Sequence, residues 1–146
     1  MNFTERQIEI IDASKDLIGR KGIQNLTIKN LAKKMSFSEP ALYRHFKDKT
    51  EILKSLLLFH REIIKSGIFK ILNSDQSSLE KFQEILKFKF DHIKKNPAIV
   101  MVIFSENSFQ YSSVLSSIVS KIMKQRSKKI IELLKKGQKN NEIRND

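Results

Sequence analysis

Ile28, Leu31, Ala32 and Met35 fall at i, i+3, i+4 and i+7, one side of a helix of about two turns. The stripe stops at Ser36-Phe37 and resumes with Leu42 and Phe46, four residues apart. Helices this short are marginal on their own, so each must dock its stripe on a shared core. Local chemistry marks where they start. Thr27 caps the first. Ser38 caps the second, where Pro40 is tolerated because a first-turn amide has no intrahelical partner. Phe37 before that cap and Leu42 after it match a hydrophobic staple.

A longer helix precedes the pair, from about Thr4 to Lys21. Ile10, Ile11, Ser14, Leu17 and Ile18 line its inner face, and Gly22 is expected to end it in a left-handed conformation. Asp48 and Glu51 resemble a capping box opening a fourth helix that runs to about Leu72, with Ile52, Leu56, Phe59, Ile63, Ile64, Ile68 and Ile71 as its apolar positions. NSDQSS, residues 73–78, reads as a linker. A fifth helix follows from about Ser78 to Lys95, with Phe82, Ile85, Leu86, Phe90 and Ile93 on one side. Asn96-Pro97 starts a sixth, apolar nearly all round and so expected to be central and buried. Asn107 to Tyr111 reads as a polar break. The last helix is predicted from about Ser112 to Lys136, with Leu115, Ile118, Val119, Ile122, Met123, Ile130, Leu133 and Leu134 inward, Gly137 ending it and the tail frayed. Four glycines and two prolines in 146 residues suit these long runs. The fold class is all-α.

There is no cysteine, so neither a disulfide framework nor a thiolate metal site is open to the chain, which fits a reducing cytoplasm. The N-terminus lacks the apolar core of a signal peptide. The longest apolar run, Ala98 to Phe104, is too short to cross a bilayer, and no membrane association is expected. His45, His60 and His92 have no metal-ligand spacing; no Gly-rich phosphate loop or nucleophile–base pair stands out. The expectation is therefore no enzyme, no metal and no cofactor. The net charge of +12 favours anionic partners. Its distribution blunts that inference: residues 1–54 carry a net +4, residues 55–120 a net +2 and residues 121–146 a net +6.

Two short helices joined by a tight turn and braced by a third describe a helix-turn-helix unit. Leu42 and Phe46 point inward on the helical wheel of residues 39–46. Arg44 and Ala41 point nearly opposite, and Tyr43 and His45 occupy the shoulders. Outward groups on such a helix meet base edges in the major groove, and shoulder groups reach the phosphate walls.

The stretch from about Ile10 to Leu53 resembles the DNA-binding domain of the tetracycline-repressor (TetR) family of transcription regulators. The resemblance is carried by Ala13, Gly22, Thr27, Ile28, Leu31, Ala32, Phe37, Ser38, the block Leu42-Tyr43-Arg44-His45-Phe46, and Lys49. It implies a DNA-binding domain over residues 1–47 and a helical ligand-binding and dimerisation domain over residues 48–146. It also implies a homodimer that reads a near-palindromic double-stranded DNA operator, usually as a ligand-responsive repressor. By position, Thr27 would hold a phosphate; Tyr43, His45 and Lys49 would contact the DNA backbone; Ser38, Glu39, Ala41 and Arg44 would face the groove. The family usually adds a further pair of helices for its dimer interface, and this chain stops soon after Gly137, about where that pair begins. The face so exposed is the expected reason for Phe88 lying off the main stripe.

The regulatory helices are rich in phenylalanine. Phe59, Ile64, Phe82, Phe90, Met101, Phe104 and Met123 are candidates to line a cavity for a small hydrophobic ligand. His60, His92 and Tyr111, with Asn107 and Gln110, would orient it. The competing reading is a helical binding module that acts through its apolar pocket or basic last helix on a partner or membrane surface.

Overall fold

The computed structural model describes residues 3–104 and 113–144. Among these are seven α-helices and one short 3-10 turn: α1 (Glu5–Lys21), the turn Ile23–Asn25, α2 (Ile28–Met35), α3 (Glu39–Tyr43), α4 (Lys49–Leu72), α5 (Ser78–Lys95), α6 (Pro97–Phe104) and α7 (Ser113–Lys139). The predicted break Asn107–Tyr111 and the predicted start of the last helix at Ser112 lie outside the described residues.

Side-chain caps set the starts. Thr4 and Gln7 form a reciprocal capping box on α1, and Ser77 and Glu80 do the same on α5. The Asp48 carboxylate accepts from Glu51 N–H, whereas the Glu51 carboxylate reaches back past the cap to Lys47 N–H. Gly22 ends α1 at φ +81°, ψ 163°, a positive-φ conformation with extended ψ rather than the left-handed helical one. Ser36, at φ 57° and ψ 39°, takes the left-handed conformation between α2 and α3.

The core divides along α4. One cluster joins Ile10, Ile18, Leu31, Leu42, Phe46 and Leu56 to Ala98, Val102 and Leu115, so the first three helices share a core with α6 and the start of α7. The second joins Ile64, Ile68 and Ile71 of α4 to Ile85 of α5 and Leu133 of α7. One 24-residue helix thus runs through both.

α6 is buried on one side only: Ala98, Ile99 and Val102 face the core, while Met101 and Phe104 are exposed. α5 carries two apolar stripes. Packing selects the one with Phe82, Ile85 and Phe88, leaving Leu86, Phe90 and Ile93 at the surface. Phe88 is therefore off the predicted stripe because it is part of the buried one, its ring seated against Gly67 of α4. Met123 of α7 is also exposed.

The tail folds back instead of fraying. α7 continues past Gly137 to Lys139, and Asn141 (φ 58°) takes the left-handed position. Glu142 N–H then bonds Gly137 O (2.9 Å) and Asn141 N–H bonds Gln138 O (3.1 Å), a Schellman closure. Gly137 is needed for proximity, since a Cβ there would lie 2.6 Å from Ile143 Cδ1 and 3.0 Å from Ser78 Cβ. Glu142 also accepts a hydrogen bond from Ser78 N–H at the start of α5. Gly137→Ala is expected to cost about 1–3 kcal/mol through overpacking. A urea midpoint equal to that of the parent chain would count against this closure.

Candidate nucleic-acid interface

α3 owes its orientation to contacts that tie it to α1 and α2. Leu42 and Phe46 are fully buried beneath it. Ser38 Oγ accepts from Ala41 N–H (3.3 Å), fixing the first turn. The helix is shorter than the predicted 39–46. Beyond Tyr43 the carbonyl of Leu42 accepts from both His45 N–H (2.9 Å) and Phe46 N–H (3.1 Å), which tightens the last turn while leaving Phe46 on the buried side. Gln7 of α1 donates to His45 O (3.4 Å). The Arg6 guanidinium lies 5.1 Å from the centroid of Phe37, at the head of the turn into α3.

The other side of α3 is open. Tyr43 is 52% exposed, and Arg44, Glu39 and Ser38 are exposed with it. His45 is half-buried. Ala41, expected to face outward, is also half-buried. Thr27 is exposed, and its hydroxyl accepts from Asn30 N–H (3.1 Å), as a cap does.

Lys49, the first residue of α4, is half-buried and donates from Nζ to Ile23 O (2.9 Å). Burial pushes its ammonium below the usual lysine range. This bond pins the α1–α2 connection to the root of α4. Asp16 of α1 binds Lys34 of α2 and Arg20, and Lys34 first and Arg20 second hold its carboxyl below the usual range. Sequence reasoning missed Gln7, Arg6, Asp16 and Lys34 as supports of the site. Their partners lie up to 38 residues away, and no local spacing announces them.

Residues 10–56 match the family model described as "Bacterial regulatory proteins, tetR family". That stretch is similar to the DNA-binding domain of the TetR family. The chain is 28% identical over 132 residues to the nucleoid occlusion factor SlmA of Alteromonas mediterranea, covering 90% of this chain and 68% of that one. It is 31% identical over 98 residues to SlmA of Aliivibrio fischeri, covering 66% of this chain and 50% of that one, so it spans only about half of that relative's length. The ketosteroid transcriptional regulator KstR2 of Mycobacterium tuberculosis superposes with a TM-score of 0.83 at 22% identity, over 99% of this chain and 74% of that one, a likeness of fold. The all-α TetR fold with its helix-turn-helix unit is thus the fold of this chain.

The predicted ligand-pocket residues do not converge. Phe90 and Phe104 are 71% and 73% exposed, and Met101 and Met123 also face outward. Tyr111, Asn107 and Gln110 lie outside the described residues. Phe59 and Phe82 are half-buried, but they belong to different core clusters. His60 and His92 meet each other, Nδ1 to Nε2 at 3.1 Å, within the α4–α5 packing. Among the described residues of the predicted set, only Ile64 lines the cleft of about 500 Å³ between α4, α5 and α7. Among the described residues no three His, Asp or Glu side chains gather as a metal site would require, and no helix is long and apolar enough to cross a membrane.

Proposed function

We propose that this chain is a sequence-specific DNA-binding transcription regulator that inserts α3 into the major groove of a near-palindromic operator as a homodimer. The carrying observation is the contrast across α3, with Leu42 and Phe46 buried and Tyr43 and Arg44 offered to solvent. Arg44 reads a base, since its fork matches the O6/N7 edge of guanine. Ser38, Glu39 and Ala41 lie along the groove. Tyr43, His45 and Lys49 hold phosphates on either side, and Thr27 holds one at the start of α2, where free amides and the helix dipole favour an anion. Residues 1–47 form the reading unit and residues 48–146 the regulatory one. α4 passes through both core clusters, which supports a ligand-responsive mode: a molecule lodged against its second half moves the root that Lys49 pins to Ile23.

Lys49→Met tests both roles of that lysine. The variant should lower the salt slope of DNA binding by about one for all sequences alike. It should also lose about 1 kcal/mol of stability, because Ile23 O loses its partner. Salt-dependent anisotropy titrations with an unchanged slope would remove the phosphate contact from this account.

The similarity to SlmA over 132 residues favours a second reading, a DNA-bound nucleoid occlusion factor. Unchanged transcript levels in a strain lacking the protein would favour it over transcription control.

A further inference from the structure

Arg44 is the C-cap of α3, just past its last helical residue, Tyr43. Its aim therefore depends on what holds the backbone around it. Leu42 and Phe46 set the depth of α3 from below. Two anchors do not by themselves fix rotation about the line that joins them. The carbonyl of His45 lies beyond the last helical turn, where a backbone oxygen loses its intrahelical donor. Among the described residues no backbone amide donates to it. The side chain of Gln7 does, from Nε2 at 3.4 Å.

The first turn of α1 places Gln7 for this task. Its Oε1 accepts from Thr4 N–H (3.1 Å), and its own N–H donates to Thr4 Oγ1 (3.2 Å). The side-chain amide thus closes the α1 cap with its oxygen and reaches α3 with its nitrogen. A glutamate serves such a cap equally well but has no donor for the carbonyl. Phe3 and Arg6 seat the same turn. The Phe3 ring meets Phe59 of α4 edge-on, with centroids 5.9 Å apart. The Arg6 guanidinium lies over Phe37, ahead of α3. We propose that Gln7 is a positioning residue for base recognition: its bond to His45 O fixes the angle at which α3 presents Arg44, and Gln7 itself meets no DNA. The inference rests on the DNA reading above. A bidentate base contact demands alignment, whereas a point charge at a phosphate demands less. Loss of the bond therefore lowers discrimination between sequences more than affinity for DNA at large.

The test compares Gln7→Glu and Gln7→Met with the parent chain. Gln7→Glu keeps the cap and should melt close to the parent, since a carboxylate in the first turn of α1 offsets part of the lost bond. Gln7→Met loses cap and bond together and should melt lower, but it brings no charge toward DNA. Well below either melt, both should lose on the order of ten-fold in preference for the selected operator over one altered at the Arg44 position. The salt slope of Gln7→Met should match that of the parent. Full retention of the preference in both variants overturns the inference and leaves the DNA reading standing. So does equal weakening on every sequence, which marks a direct contact to the DNA backbone. A parent chain that selects no motif sinks the DNA reading, and the role of Gln7 in recognition with it. Hydrogen exchange in the free protein reads the tether without DNA. The His45 and Phe46 amides should exchange faster in Gln7→Glu, and an unchanged rate overturns the tether whatever the DNA result.

Discussion

Acidification from pH 7 to pH 4 is expected to strip up to about 3 kcal/mol from the stability of this protein through one side chain, His60. Its ring is 4% exposed in the α4–α5 packing. Nδ1 meets His92 Nε2 at 3.1 Å, and Nε2 is buried without a hydrogen-bond partner among the described residues. Burial, then the charge of His92 and that of Lys15, push its pKa from 6.5 to about 4, with Asp12 opposing. The folded protein therefore binds this proton less readily than the unfolded chain does. The stabilisation is fully present above pH 6.5 and drains away as the pH falls toward 4. A second proton on the pair would set two donors face to face. His60→Met should flatten this part of the pH profile, and at pH 7 it should be neutral or stabilising, because it removes a buried unsatisfied nitrogen. Urea midpoints for both chains at pH 7, 5.5 and 4.5 check this. Parallel losses in parent and variant would show that other groups carry the acid sensitivity.

Arg44→Ala is expected to cost roughly 1–3 kcal/mol of discrimination at a single base-pair position, equivalent to about five- to 150-fold in relative affinity. The side chain is exposed at the end of α3, and no ion pair holds it among the described residues. Its removal therefore leaves the buried face of the helix untouched, and folding stability should change little. Competition titrations with operators varied one base at a time separate this from a phosphate contact. A base reader gives a loss confined to one position, whereas a phosphate contact gives a uniform loss together with a smaller salt slope. Uniform weakening in this variant would move Arg44 from the groove floor to its wall.

The helices whose ends are set by their own side chains were legible from the sequence. Thr27, Ser38 and Asp48 cap where their residue types predict, and the stripe of α1 is buried at every position named for it. Where tertiary packing decides, the sequence was ambiguous. α5 offers two stripes, and the neighbours in α4 and α7 choose between them. Gly137 looked like a helix stop because glycine so often is one. Here Asn141 does that work four residues later, and Gly137 is small so that Ile143 can close over it. The two faces of α3 were legible because they differ in chemistry within eight residues. The supports of α3 were not: Lys49 finds Ile23 across 26 residues, and Gln7 finds His45 across 38. The cleft was missed for a related reason. Counting phenylalanines located aromatic surface, whereas the cavity is lined by isoleucines and lysines drawn from three separate helices.

Selection of random double-stranded DNA by the intact protein, performed at two salt concentrations, decides whether α3 reads sequence. Two inverted half-sites about one helical turn apart should be enriched, and retained at the higher salt with reduced overall recovery. Recovery of DNA without any enriched motif at either salt would contradict sequence reading by α3.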